Sequence, residues 1–347
     1  MNNNKIRQEL SEYKPVEIVG YEVNKVGSPT SFSSLVVHRG ALKMIPRLFF
    51  MVGLPASGKS TEAKILRDEY DAELFSSDDL REELFGDVNC QTNNELLFKE
   101  LHKRIKECLL SGHNAIYDAT NISYKRRIAF LAELKNITCA KAAVVMATPY
   151  EECLKRNMLR ERQVPEEVIK RMYMSFYVPG MYEGFDSIQL VYADGAYGKY
   201  GYPTDWLYKM SFYNQENSHH NLTLGEHCGE TLGYILEHYG VKHNANLRVA
   251  ATLHDNGKPF TKTYVNGKGE VTDDAHYFGH ENVGAYNSLF FDGEYDKIYV
   301  ANLIQFHMRP YTAWAQSEKA MAKDRKLFGE KMFTDICKLH EADMYAH

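Results

Sequence analysis

The chain has 347 residues, 44% of them hydrophobic and 25% charged, with a formal net charge of −5. That length and composition exclude disorder as the main state and predict two domains, each able to bury its own core. No apolar run approaches the ~18 residues of a membrane span, the opening MNNNKIRQEL lacks a signal-peptide core, and six scattered cysteines without a CxxC pair fit a reducing compartment. A cytoplasmic protein with no membrane partner is therefore expected. The charge neither supports nor excludes a nucleic-acid partner, because a local basic patch would be enough.

In chain order, residues 1–46 carry alternating patterns, VEIVGYEVNKV and SFSSLVVHRG, that predict an N-terminal extension with a small β element. RLFFMV (47–52) then reads as a buried strand running directly into Gly53-Leu-Pro-Ala-Ser57-Gly58-Lys59-Ser60-Thr61 and an amphipathic helix. Strand, GxxxxGKS and helix in that order predict a P-loop. Its glycines let backbone N–H groups curl round phosphate oxygens at the positive end of the helix. Lys59 would reach the β- and γ-phosphates of ATP, Ser60 would ligate Mg²⁺, and Thr61 would support the loop.

Further strands are predicted at 72–76, 114–120, 140–148 and 187–192, alternating with helical patterns. This is the pattern of a doubly wound α/β sheet, whose ligands bind beyond the carboxyl ends of the strands. SSDDLR (76–81) and DATN (118–121) emerge there. A kinase acting on a hydroxyl needs a carboxylate to take its proton and cations to offset charge on the moving phosphoryl group. Asp78 and the arginines of 155–162 fit those roles, although Asp78 and Asp79 also fit the first turn of a helix with a capping function. Residues 123–171 carry eleven Lys or Arg against six Asp or Glu, either a nucleic-acid contact or a solvated helix face.

GLPASGKST, SSDDLR, YDATNISYKRRIAF and PYEECLKRNMLRERQVPEEVIKRMY resemble, in order and spacing, the phage polynucleotide 5′-kinases across residues 47–180. The resemblance implies that Asp78 is the general base for a polynucleotide 5′-OH, that Arg81 holds the adjacent phosphate, and that Arg160 is the lid arginine on the donor phosphates. Asp118, Arg126 and Arg156 also match family positions, the two arginines as nucleotide-binding residues. The lid is one residue shorter before Val164-Pro165, and the DxDxT phosphatase motif that follows the kinase in the phage prototype is missing.

ADGAYGKYGYPTDW (193–206) has neither helical nor strand periodicity, which predicts a P-loop domain over 47–195 and a linker over 196–218. Eleven of the fourteen histidines follow it, against three before residue 200, so a different chemistry is expected in 219–347. His227, His254-Asp255, His280, His307 and Asp343 supply imidazoles and carboxylates on separated, mostly helical segments, as a helical metal cage requires. LHDNGKPFTKTYVNGKGEVTDDAHYFGHENVGA resembles the HD-domain phosphohydrolases, above all the HD segment of the bacterial CCA-adding tRNA nucleotidyltransferases. The resemblance implies an all-α fold in which His227, His254, Asp255 and Asp343 hold one divalent transition metal. His280 and His307 would complete a second site or contact phosphate, and Lys258 would neutralise a phosphate oxygen. His219, His220 and His276 are further candidates to line the substrate site. Asn256 replaces the aliphatic residue of many HD sequences.

Together the halves resemble bifunctional end-healing enzymes. The expectation is phosphorylation of RNA or DNA 5′-OH ends, hydrolysis of 2′,3′-cyclic or terminal phosphates, and a separate ligase as functional partner. A small-metabolite kinase with an HD nucleotidase, or a polynucleotide kinase whose HD half only docks RNA, are the alternatives.

Overall fold

The structure, a computed structural model, describes residues 35–38, 41–90, 92–192, 210–217, 221–241 and 244–346. The chain divides into two compact units, Met1–Met44 and Ile45–His347. In the first, β1 (Leu35–His38) pairs antiparallel with β2 (Ala41–Met44). This hairpin falls within SFSSLVVHRG and the residues after it, while VEIVGYEVNKV lies outside the described residues.

The second unit contains a five-stranded parallel sheet of β3 (Arg47–Val52), β4 (Ala72–Ser76), β5 (Asn114–Asp118), β6 (Ala140–Ala147) and β7 (Ser187–Tyr192). Its spatial order is β4-β5-β3-β6-β7, which places the strand leading into the P-loop at the centre. β3 is buried at five of six positions, as a near-continuous apolar strand must be when both faces are covered. Its side chains alternate between two cores: Phe49 and Met51 meet Ala63 and Leu66 of α1 (Lys59–Tyr70), whereas Leu48, Phe50 and Val52 face the larger core. Four more helices connect the strands: α2 (Ser77–Phe85), α3 (Asn94–Leu110), α4 (Tyr124–Glu133) and α5 (Tyr150–Met158). Between α5 and β7 lies α6 (Glu166–Met174).

The C-terminal half is helical: α7 (Leu224–Tyr239), α8 (Ala245–Leu253), the one-turn α9 (Lys258–Thr261), α10 (His280–Ser288), α11 (Lys297–Phe306), α12 (Glu318–Phe328) and α13 (Glu330–Tyr345). The expectation of an all-α half needs one correction. Thr263–Val265 (β8) and Val271–His276 (β9) form an antiparallel hairpin, which Asn266 closes by accepting the N–H groups of Lys268 and Glu270. α7 opens on a reciprocal cap, with Glu226 N–H on Thr223 Oγ1 and Thr223 N–H on Glu226 Oε2.

The larger core runs without a break from the sheet into the helical half. Tyr150, Tyr173 and Phe260 stack and edge against one another across this boundary, and Tyr124 and Tyr182 each meet Phe306 edge-on. The fully buried Tyr286 of α10 donates to Thr148 O at 2.6 Å, just beyond β6. Gln305 accepts from Val178 N–H at 2.7 Å, and Asn287 accepts from Tyr173 Oη. Residues 210–217 pack with the C-terminal half: Met210 is buried with Leu224 and Cys228, and Glu216 O accepts from Ala275 N–H at 2.8 Å.

Candidate functional site: a P-loop and an imidazole–carboxylate cluster

The P-loop turns between β3 and α1 through two left-handed residues, Ala56 (φ 60°) and Gly58 (φ 99°). Gly53 is needed for space, because a Cβ there would sit 2.6 Å from Ser57 Oγ and 3.0 Å from Met146 Cβ. Ser57 Oγ is buried without a hydrogen-bond partner, while Ser57 O accepts from Thr148 Oγ1 at 2.8 Å. Lys59 folds back on the loop, its Nζ 3.0 Å from Gly53 O and 2.7 Å from Leu54 O. Burial holds its ammonium below the ordinary lysine value, opposed first by Asp118. Burial in turn pushes the Asp118 carboxyl up, opposed by Lys59 and by a hydrogen bond from Ser60. Thr61 N–H closes on Gly58 O.

Asp78 lies in the first turn of α2, where the cap is Ser76, whose Oγ accepts from Asp79 N–H at 3.2 Å. Capping therefore does not require Asp78. Its half-exposed carboxylate is gripped by Arg162 Nη1 at 2.8 Å and approached by Arg81 Nη1 at 3.4 Å. Arg81 is buried, donates to Asn94 at 2.7 Å, and leaves its Nε without a partner. Arg162 also reaches Asn89 Oδ1 at 3.1 Å, tying the segment after α5 to the segment after α2. Arg156 pairs with Glu152 at 3.0 Å and points its guanidinium toward Gly58. Arg160 is exposed, yet close enough for its charge to act on Lys59. Arg126 stands exposed on α4, and among the described residues it makes no hydrogen bond or ion pair. Its neighbour Arg127 is fully buried on Glu183 through two 2.7 Å contacts and bonds Asn121 O, which fixes the DATN turn.

The second constellation lies in the helical half. His227 projects from α7, His254 and Asp255 follow α8, His280 opens α10, His307 follows α11, and Asp343 ends α13; all six are buried. His227 Nε2 lies 3.1 Å from His254 Nε2, 3.1 Å from Asp343 Oδ1 and 3.3 Å from Asp255 Oδ2. On the other side, Asp255 Oδ1 faces His280 Nε2 at 3.2 Å and His307 Nε2 at 3.8 Å, with the two Nε2 atoms 3.3 Å apart. Asp255 thus turns one oxygen to each histidine pair. Gly257 allows this approach, since a Cβ there would lie 2.1 Å from His280 O.

Each of the four rings donates its Nδ1 hydrogen to a backbone carbonyl: His227 to Ala346 (2.7 Å), His254 to Ala251 (2.9 Å), His280 to Tyr277 (2.7 Å) and His307 to Ile304 (2.6 Å). All four Nε2 lone pairs are left converging on one another. Such an arrangement needs cations, either extra protons or metal ions, and two groups of donor atoms close enough to share an ion are His227–His254–Asp255 and Asp255–His280–His307. The donor set therefore fits divalent transition metals. Without an ion, burial would lower His227, but the Asp255 and Asp343 hydrogen bonds outweigh it and raise it to about 9. Burial with the His280 and His254 charges pushes His307 down to about 3.

Around the cluster stand Tyr311 and Gln215, which the sequence reading did not single out, and Lys258, Asn256 and His276, which it did. Tyr311 donates to Asp343 Oδ2 at 3.0 Å. Lys258 Nζ lies 2.6 Å from Asp255 Oδ2 and 2.7 Å from Gln215 Oε1. Asn256 donates to Gly284 O at 3.1 Å and accepts from Asn287, the residue that bonds Tyr173. The amide in place of an aliphatic residue thus ties the His-Asp turn to α10. His276 bonds Thr272 at 2.9 Å and stacks on Phe278; His219 and His220 lie outside the described residues.

With this geometry in view, residues 48–179 match the family described as AAA domain. The P-loop that follows the central strand of the parallel sheet lies within those residues, and a P-loop is the feature with which P-loop kinases hold ATP and Mg²⁺. Among similar proteins is the L-seryl-tRNA(Sec) kinase of Methanococcus maripaludis, 29% identical over 144 residues, 40% of this chain and 56% of that protein. The chain thus spans about half the length of that relative. Among solved structures, one of the Pnkp1/Rnl/Hen1 RNA repair complex is 24% identical over 40% of this chain and 46% of that one, with a TM-score of 0.34. A gluconokinase from Sinorhizobium meliloti is 14% identical over 44% of this chain and 85% of that one, with a TM-score of 0.33. No helix among the described residues is long and apolar enough to cross a membrane.

Proposed function

We propose that this protein heals nucleic-acid ends, adding phosphate to a polynucleotide 5′-OH at the P-loop and hydrolysing a 2′,3′-cyclic or terminal phosphate at the imidazole–carboxylate cluster. The observation that carries the reading is Asp255, which offers one carboxylate oxygen to each of two histidine pairs within the compact unit that also holds a complete P-loop. The name of the M. maripaludis relative supports an acceptor hydroxyl carried on nucleic acid.

In the kinase step, Asp78 accepts the proton of the attacking hydroxyl while Lys59 and Arg160 offset charge on the transferring phosphoryl group; Ser60 and Asp118 are the residues that would hold Mg²⁺. Ser57, Gly58 and Thr61 shape the phosphate cradle, Arg156 flanks it, and Arg126 belongs to the nucleotide side. Arg162 must release Asp78 for the hydroxyl to reach it, and Arg81 then holds the adjacent phosphate.

In the hydrolase half, His227, His254, Asp255 and Asp343 would hold one metal, and His280 and His307 would share Asp255 toward a second or contact phosphate. A divalent metal bound there would supply Lewis acidity, acidifying water and polarising the phosphorus centre. The backbone carbonyls behind the rings fix their orientation, and Lys258 sets Asp255 and neutralises a phosphate oxygen. The products, a 5′-phosphate and a free terminal hydroxyl, are what a separate ligase requires.

The test is one assay with two substrates: 5′-OH RNA with labelled ATP and Mg²⁺, and RNA ending in a 2′,3′-cyclic phosphate with a panel of divalent metals. Both react under this reading. Reaction of the first alone removes the hydrolase half of the proposal, and reaction of neither removes it entirely.

A further inference from the structure

Beside the cluster, α6 and the turn 277–279 enclose a groove of about 410 Å³, open to solvent and lined by Lys170, Arg171, Met174, Ser175, Phe278 and Gly279. That volume suits one nucleotide. The Phe278 side chain is half exposed. Its plane lies 14° from that of His276 at a centroid distance of 5.7 Å, so one ring backs the other as a flat platform. Lys170 and Arg171 are exposed, and among the described residues neither has an ion-pair partner; Glu167, one turn earlier, is the single acid in the lining. Gly279 adopts φ 80°, and a Cβ there would meet Met174 O at 2.9 Å, so the turn can lie this close to α6 only with glycine.

The groove adjoins the cluster through the same turn. Tyr277 O accepts the His280 Nδ1 hydrogen, and Phe278 is two residues from His280, a separation of at most about 7 Å along the backbone. A flat aromatic surface beside two exposed cations, Arg171 and a Lys170 whose Nζ lies 5.8 Å from the Phe260 ring centroid, is the combination that binds single-stranded nucleic acid, with a base stacked on the ring and phosphates on the cations.

We propose that this groove seats a nucleotide of a single-stranded polynucleotide next to the terminal phosphate held at the cluster, its base on Phe278 and its phosphate between Lys170 and Arg171. This rests on the reading of the cluster as a phosphoesterase and names how its substrate is gripped. It also makes the P-loop half part of the hydrolase, because Lys170 and Arg171 belong to α6.

The test uses the full chain in Mn²⁺, with a short single-stranded RNA ending in a 2′,3′-cyclic phosphate and the matching cyclic mononucleotide as substrates. In F278A and in K170A/R171A, KM for the RNA rises about tenfold relative to KM for the mononucleotide, at the modest end for one stacked base. Equal changes for both substrates, or no change, overturn the groove. A second measurement needs no turnover: RNA carrying 4-thiouridine near its 3′ end is irradiated with the protein and the attached peptide is sequenced. Attachment at 276–279 supports the groove even if neither substrate is hydrolysed, in which case only the phosphoesterase reading falls. Attachment confined to the P-loop and α2, or none, overturns the groove whatever the hydrolysis assay gives.

Discussion

The P-loop and the imidazole–carboxylate cluster solve opposite electrostatic problems. At the P-loop the chain supplies the positive charge itself, with Lys59 buried and resting on its own loop carbonyls until phosphate displaces them. At the cluster the chain converges four imidazole rings and two carboxylates, and Lys258, 2.6 Å from Asp255, is the lysine it sets against them. The first site is compact in sequence, a run of nine residues; the second draws on five helices between His227 and Asp343. A site built of backbone N–H groups must be contiguous, whereas a cluster of side chains needs only the tertiary fold to bring them together.

That contrast is most strongly tested by separating the sites. His254→Ala with Asp255→Ala should remove bound metal and lower phosphoester hydrolysis more than about a hundredfold, leaving 5′-phosphorylation near its original rate. Metal analysis and the two assays check this, and a metal content equal to that of the parent protein would move the metal elsewhere. Asp78→Ala should do the reverse, lowering the kinase rate by about 10²–10⁴ while hydrolysis persists. Full kinase activity in that variant would remove Asp78 as the base.

Smaller effects sharpen the comparison by asking whether the two sites share one folding unit. Glu183→Gln leaves the buried Arg127 without its charge partner and should cost about 3–5 kcal/mol, read by denaturant unfolding. The loss should appear in signals from both halves, since the core is continuous. Tyr286→Phe removes the hydroxyl that joins α10 to Thr148 and should cost about 1–2 kcal/mol. Separate unfolding transitions for the two halves, with only one displaced, would contradict a shared core.

The five parallel strands were legible because apolar runs and the P-loop spacing point the same way, and the observed strands end within two residues of the expected bounds. The hairpin at 263–276 was not singled out, although the turn-forming Asn266-Gly267 between Thr-Tyr-Val and Val-Thr carried a signal for it. The six cluster residues were named from an ordered His and Asp pattern, and the fold gathers them. Their supports were invisible: Tyr311, Gln215 and the carbonyls behind the rings follow from packing and have no spacing rule. Arg162 was hidden among several arginines of one basic segment, where nothing local distinguishes the one that reaches Asp78. The boundary between the halves was the hardest to read, since the aromatic contacts across it pair residues more than 80 positions apart.

The buried Tyr286–Thr148 bond has a consequence for how the polypeptide is handled. Thr148 holds Ser57 O of the P-loop, and Tyr286 belongs to the helix that begins with His280, so the two halves meet as subunits of an obligate heterodimer would. A gene split between codons 192 and 210 should therefore yield two polypeptides that copurify when made together and are each insoluble when made alone. The covalent connection raises their local concentration, and the recognition is carried by the interface itself.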